Sequence, residues 1–242
     1  MGNKNKRSVV NCACVIHGSV YDWMYVEKLY NMVRRNINVP VQFHVYTEHD
    51  RKVPDHMIKH ELVDWQISGP KKSWWYKMQL FNPANFAGDL LYFDLDVIVC
   101  RDISWMLSAA TEKFWTIRDF RYLQKGTLYD MNSSVMWWNV ENFAWVWDKF
   151  KQADFTKILK QYHGDQNYLS ATIDYDRRRY FEDQYFQSYR WQVHDGGLKF
   201  PQRVPVRPGA GAVIDGNTAV IVFHGSPKPH EVHDPEIVKL WY

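Results

Sequence analysis

The chain has 242 residues, 46% of them hydrophobic and 24% charged, with a net charge of +3. That length suits one large domain with a substantial core, and so small a charge implies no nucleic-acid partner. No apolar run approaches the length of a transmembrane segment, and no Gly/Ser-rich or single-residue tract divides the chain.

The basic N-terminus Met1–Arg7 runs straight into a strand-length segment, so it lacks the apolar stretch of a signal peptide, and Lys6 stands where a myristoylation signal wants Ser or Thr. A cytoplasmic address is the resulting expectation. Ser8–Ile16 reads as a buried first strand, followed by the turn His17–Asp22, in which Tyr21 is available to stack on a base. From Trp23 to Arg35, Met24, Val26, Leu29, Tyr30 and Val33 fall on a helical stripe. Strand, glycine-containing turn and helix in that order place a ligand against the strand's carboxyl end, or simply connect two elements. Val41–Tyr46 reads as a second strand, Val53–His60 as a short helix and Leu62–Trp65 as a third strand. Gly69 and Pro70 then break the chain before a helix over Ser73–Phe81, capped by Ser73. Its one cation, Lys77, either snorkels to solvent or points at a phosphate.

Gly88–Cys100 is an almost continuous apolar run, as in a strand buried on both faces, yet Asp94 and Asp96 stand in its middle. Two carboxylates around one apolar spacer need a cation, hydrogen bonds or a solvated cleft. The simplest arrangement ends the strand at Asp94 and turns Asp94-Leu95-Asp96 towards a cleft, where the acids hold a divalent cation or are satisfied by Lys, Arg or backbone N–H groups.

Beyond it, Arg101–Leu107 reads as a short helix, Phe114–Ile117 as a strand, and Tyr129–Asn139 as a strand with small polar residues, Asn132-Ser133-Ser134, in its first half. The latter matches a glycosylation sequon, discounted without a secretory signal. Asn142–Lys151 and Phe155–Gln161 are amphipathic. Asp165 follows Gly164 at a helix start, where an N-terminal cap is the plain explanation. Tyr180–Trp191 is strand-like, Pro201–Gly216 a Pro/Gly-rich loop, and Ala219–Phe223 a last buried strand ending at His224-Gly225-Ser226-Pro227-Lys228-Pro229-His230. There an imidazole, a glycine and a lysine between prolines suit a metal and a phosphate, or form a rigid turn. Cys12, Cys14 and Cys100 read as reduced, buried thiols, and no second Cys pair completes a zinc site. The 17% aromatic content, with 12 Trp, fills core volume first and is also compatible with stacking on sugars or bases.

In this order, strand-turn-Tyr21, the Lys77 helix, Asp94-Leu95-Asp96, Asn132-Ser133-Ser134-Val135-Met136, Gly164-Asp165-Gln166 and His224-Gly225-Ser226-Pro227-Lys228-Pro229 together resemble the family 8 glycosyltransferases, from about Val9 to His230. The resemblance implies a single α/β domain of GT-A type, a Rossmann-like mixed central sheet flanked by helices. Residues 1–100 would form the nucleotide-binding half and 101–242 the acceptor half with the C-terminal metal and phosphate motif. It implies Mn2+ or Mg2+ on Asp94, Asp96 and His224, and a nucleotide-sugar donor, UDP-sugar first, near Ser19, Tyr21, Asp94, Asn132, Gly225 and Lys228. Asp165, Gln166 and Lys77 would stand at the reaction centre, and the sugar would pass to a glycan or other hydroxyl acceptor with retention of configuration. Ser19 stands where the family has an Asp that reads uracil, and His224 is closer to Lys228 than in the family's motif. The alternatives are a carbohydrate- or nucleotide-sugar-binding protein without turnover and a metal-dependent phosphohydrolase. The latter would lack the third and fourth carboxylates that two-metal hydrolases use.

Overall fold

The computed structural model describes residues 9–65, 72–121, 129–194, 198–199, 204–205 and 212–242. The chain opens with β1 (Val10–Val15), α1 (Trp23–Arg35), β2 (Val41–Thr47) and β3 (Ile58–Glu61). Next come α2 (Lys72–Trp75), which runs into a 3-10 helix over Tyr76–Phe81, then β4 (Asp89–Phe93) and β5 (Val97–Val99). A 3-10 turn at Ser104–Ser108 leads to β6 (Phe114–Arg118) and β7 (Met131–Asn139). Three helices follow, α3 (Ala144–Gln152), α4 (Phe155–Gln161) and α5 (Asp165–Thr172). The last third holds β8 (Arg178–Tyr180), β9 (Phe186–Ser188), β10 (Leu198–Lys199), β11 (Val204–Pro205), β12 (Val220–Val222) and α6 (Pro235–Leu240).

Seven strands form the central mixed sheet in the order β3-β2-β1-β4-β7-β6-β8. The β3-β2-β1-β4 half is parallel, β7 is antiparallel to both β4 and β6, and β6 and β8 are parallel. A second sheet, β5-β12-β9, carries β12 antiparallel to β5 and parallel to β9.

Strand alternation explains the continuous apolar runs. Cys12, Cys14, Leu91, Phe93, Val135 and Trp137 face a core shared with α1 and the small sheet, whereas Ala13, Leu90, Tyr92, Met136 and Trp138 face one shared with the 3-10 helix and α3–α5. A strand covered on both faces has no polar side to display.

Local readings shift in places. α1 buries Tyr25, Val26, Leu29, Met32 and Val33, while Met24 is exposed, so the stripe is rotated from the expected one. The helix expected over Val53–His60 and the strand over Leu62–Trp65 are replaced by an irregular segment and β3. Parallel pairing of His44 with Ile58 and Tyr46 with His60 takes up that stretch, and the His60 ring stacks on Tyr46 with centroids 4.5 Å apart. The expected helix at Ser73–Phe81 becomes an α-turn followed by 3-10 structure, and Tyr180–Trp191 breaks into β9 and a π-helical turn over Tyr189–Val193. The Gly69-Pro70 break, the Ser73 side-chain cap and much of the Pro201–Gly216 loop lie outside the described residues or side chains. α6 was not anticipated; Asp234 caps it, accepting from Glu236 N–H at 3.0 Å. Among the described residues no helix is long and apolar enough to cross a membrane.

Candidate active site

β1 has β2 on one side and β4 on the other, so the strand order reverses between β1 and β4. In an open α/β sheet such a reversal leaves a crevice outside the carboxyl ends of the two strands. Tyr21 lies in the loop after β1, and Asp94-Leu95-Asp96 is the turn after β4. The turn hangs between the two sheets. Asp94 N–H donates to Ser134 O at 2.9 Å at the end of the large sheet's ladder, and Phe223 N–H donates to Asp96 O at 3.0 Å at the start of the small sheet's. The second bond brings the segment that follows β12, with Lys228, up to the acids.

Each acid takes a lysine and a tyrosine. Asp94 Oδ1 lies 2.7 Å from Lys77 Nζ and accepts from the Tyr92 hydroxyl at 2.7 Å. Asp96 Oδ2 accepts from Lys228 Nζ at 2.5 Å and from the Tyr21 hydroxyl at 2.8 Å, with the Lys228 ammonium 5.3 Å from the Tyr21 ring centroid. Lys77 is 9% exposed and therefore does not snorkel to solvent. It also reaches Asp165 Oδ2 at 3.3 Å and Ser133 Oγ at 3.2 Å, and Ser133 in turn donates to Asp165 at 2.6 Å.

Burial pushes the Asp96 carboxyl above its ordinary range; the Lys228 charge opposes this and the Asp94 charge adds to it. Burial likewise raises the Asp165 carboxyl against the opposing charge of Lys77. Burial alone would lower Lys77, but the Asp165 and Asp94 charges outweigh it and hold the ammonium above its usual range. The Tyr21 hydroxyl is raised by burial and by Asp96.

A bulge in β7 shapes the far wall. Thr116 pairs with Met136, but Ile117 pairs with Asn132, so Ser133, Ser134 and Val135 lack partners on β6. The Thr116 hydroxyl reaches the Asn132 and Val135 carbonyls at 2.7 and 3.1 Å, and Asn132 Oδ1 accepts from Ser134 N–H at 2.8 Å. Asn132 therefore braces the bulge that aims Ser133 at Lys77 and Asp165. At 5% and 8% exposure, Asn132 and Ser134 leave the sequon buried in the folded chain.

The remaining expected residues spread outward. Gln166 Nε2 donates to Asp119 Oδ2 at 2.9 Å. Gly225 has φ +75°, and a Cβ there would lie 3.2 Å from Arg190 Nη1, which accounts for glycine at that point. Ser19 is exposed beside Gly18, whose N–H donates to the Glu48 carboxylate. Glu48 also accepts from the Thr47 hydroxyl at 2.8 Å and Arg51 Nε at 3.0 Å. Burial works to raise the Glu48 carboxyl, but Arg51 and the Gly18 N–H hold it down at about 2. His224 is not gathered with the acids: its Nε2 meets Ser188 Oγ at 2.6 Å, and its ring lies 5.8 Å from Phe120 and 4.3 Å from Trp191. Two residues past β12, its ring lies in an aromatic cluster.

Tyr92, Ser133, Asp119 and Glu48 were not singled out individually from the sequence. Tyr92 had a signal, since it stands two residues before Asp94 and so on the same face of the strand. Asp119 had one too, being an acid just past a buried strand, as Asp94 is.

Hard oxygen donors at Asp94 and Asp96 suit Mn2+ or Mg2+, which bind through one or two carboxylates and complete their shells with phosphate and water. Among the described residues no three His, Cys, Asp or Glu side chains are grouped to hold a metal by themselves. The residues therefore fit a cation whose other ligands arrive with a substrate. Two cavities of about 380 and 290 Å3 open along the C-terminal segment, the larger beside Tyr189, Pro227 and His233, and Asp94 and Asp96 line neither.

Comparison with solved structures places this architecture. An active-site mutant of LgtC superposes with a TM-score of 0.67 at 12% identity, over 96% of this chain and 95% of that one. The fold is that of a GT-A glycosyltransferase. The galactosyltransferase LgtC in complex with donor and acceptor sugar analogs gives a TM-score of 0.62 at 13% identity over 96% and 95% of the two chains. WbbM, a bifunctional glycosyltransferase, gives 0.58 at 14% identity over 99% of this chain and 52% of its own. No protein-family model and no curated protein matches the sequence.

Proposed function

We propose that this chain is a metal-dependent glycosyltransferase that moves a sugar from a nucleotide-sugar donor, UDP-sugar first, to a glycan or other hydroxyl acceptor with retention of configuration. The observation that carries the reading is the Asp94-Leu95-Asp96 turn at the switch point of a GT-A sheet, with Lys77, Asp165 and Lys228 drawn onto it. LgtC, which shares the fold, has been seen with donor and acceptor sugar analogs.

Charge explains how the site would serve a diphosphate. Asp94, Asp96 and Asp165 carry three negative charges against two from Lys77 and Lys228, so a diphosphate would enter a site that is already negative. Asp94 and Asp96 would hold a divalent cation, which would supply the missing positive charge against the nucleoside diphosphate as it leaves. Lys228 donates to that diphosphate from beside Gly225, whose lack of a side chain lets backbone approach. Tyr21 fixes Asp96 and presents its ring to the base. Lys77 and Ser133 hold Asp165 in place at the donor sugar, with Gln166 next to it on α5.

The reading keeps a single domain, with residues 1–100 holding the nucleotide and 101–242 the acceptor. It also keeps a cytoplasmic setting, in line with the unpaired thiols of Cys12, Cys14 and Cys100.

The test is slow hydrolysis of UDP-, GDP-, CMP- and dTDP-sugars by purified protein with Mn2+ and again with EDTA. Release of one nucleotide that stops with EDTA is the expected result. No release and no binding of any donor by folded protein with metal present would leave a sugar-binding protein without turnover; release of phosphate instead of nucleotide would support a phosphohydrolase.

A further inference from the structure

We infer that Asp119 is a positioning residue that fixes which end of the Gln166 amide faces the donor sugar; this rests on the sugar-transfer reading of the same site. Asp119 directly follows β6 and is 6% exposed. Its Oδ1 accepts from Arg121 N–H, two residues on, at 2.8 Å, an Asx turn that fixes the carboxylate plane. That leaves Oδ2 for Gln166 Nε2 at 2.9 Å.

An ionised carboxylate only accepts, whereas a side-chain amide has a donating and an accepting end. Gln166 must therefore turn its NH2 to Asp119 and its carbonyl oxygen the other way. α5 begins at Asp165, so Asp165 and Gln166 project about 100° apart around its axis, Asp165 to Lys77 and Ser133 and Gln166 to Asp119. The β6–β7 bulge sets the Ser133 wall, and Asp119, held by its N–H on Asp130 O at 2.8 Å where pairing has resumed, stands on the other side. On the sugar-transfer reading, the carbonyl oxygen of Gln166 would then be the end left to meet positive charge developing at the donor sugar, work such an acceptor does best when it cannot rotate.

The test is Asp119→Asn, which can present either end of its own amide to Gln166 and so removes the preference. Expected is a fall in kcat of about tenfold to a hundredfold, the scale of a slightly misplaced group, with donor KM and nucleoside diphosphate affinity within about twofold and an unchanged melting temperature. In Gln166→Glu two carboxylates face each other; adding Asp119→Asn supplies a donor again, so the double variant should be more active than Gln166→Glu alone. An unchanged kcat in Asp119→Asn, or strictly additive losses in the pair, would overturn the inference.

Should Asp119→Asn fail to fold, hydrogen exchange of the Gln166 side-chain amide in the unaltered protein decides. Protection supports the assignment, and exchange at the rate of a free amide refutes it. This readout does not depend on turnover. A wild-type protein inactive on every donor would thus sink the functional reading and leave the amide orientation to be judged separately.

Discussion

Replacing Lys77 by Met keeps the volume of the side chain and removes its charge, so the cost falls on the two acids it bridges. At 2.7 Å from Asp94 and 3.3 Å from Asp165, the ammonium attracts them with about 6 and about 5 kcal/mol at an effective dielectric of about 20. Those gross terms are largely offset by the cost of burying the ammonium itself, and removing one partner of a buried ion pair typically destabilises by about 3–5 kcal/mol. For a chain of this size each kcal/mol moves the melting temperature by about 2–4 °C, so Lys77→Met should melt about 6–20 °C lower. The loss must also depend on pH. Burial already raises the Asp165 carboxyl, and without Lys77 it rises further. As pH falls through that raised value, folded Lys77→Met takes up a proton that the unfolded chain does not, which favours folding. The gap between variant and wild type, followed by circular dichroism, should therefore narrow as pH falls from neutral towards the ordinary carboxylate range. A loss below about 2 °C, or a gap that does not change with pH, would refute the account of Lys77 as the shared counter-charge.

Asp96→Ala should abolish donor hydrolysis yet shift the melting temperature little, because Tyr21 and Lys228 are only half-buried and regain water; turnover at the wild-type rate in folded protein would remove the metal site from Asp96. Gly164→Ala should cost about 1–3 kcal/mol of stability, read by denaturant titration, because a Cβ there would sit 2.9 Å from Trp74 Cε3 while the extended backbone, at φ −171°, is itself open to alanine. His44, 3% exposed between Asn11 at 3.2 Å and His60 at 2.8 Å, is lowered to about 4 by burial and by His60. The unfolded chain protonates first, so this histidine should withdraw about 3 kcal/mol of stability as pH falls from about 6.5 to about 4. His44→Phe should flatten that acid limb of the melting curve, and an equally steep limb would count against the buried pair.

The elements that were legible had one strong local cause. Phe155–Gln161 carries its own cap, Asp154, accepting from Thr156 N–H at 2.9 Å, and its bounds match the sequence reading. The runs of β1, β4 and β7 are apolar on both faces because two cores need them so, and that pattern shows without coordinates. β3 was not legible, because Ile58–Glu61 is a short edge strand with one apolar residue followed by three polar ones, and what holds it is pairing with β2 and the His60–Tyr46 stack. Those contacts join parts of the chain that no local window spans.

The candidate site divides along the same line. A carboxylate inside an apolar run announces itself because burying it is costly, so Asp94 and Asp96 could be found; what neutralises them could not. The direction Lys77 takes is not local, since the bulge opposite Thr116 brings Ser133, and the start of α5 brings Asp165, to the ammonium. His224 shows the complementary limit. An imidazole after a buried strand has the chemistry of a metal ligand, but its partner is decided by where the next elements pass, and Ser188 at 2.6 Å on the neighbouring β9 reaches it. Residue chemistry thus nominates members of a site, while the crossing of two sheets at one turn selects among them; Asp119, an acid just past a buried strand, carries the same chemical signal as Asp94, but its contact with Gln166 on α5 shows only in the fold.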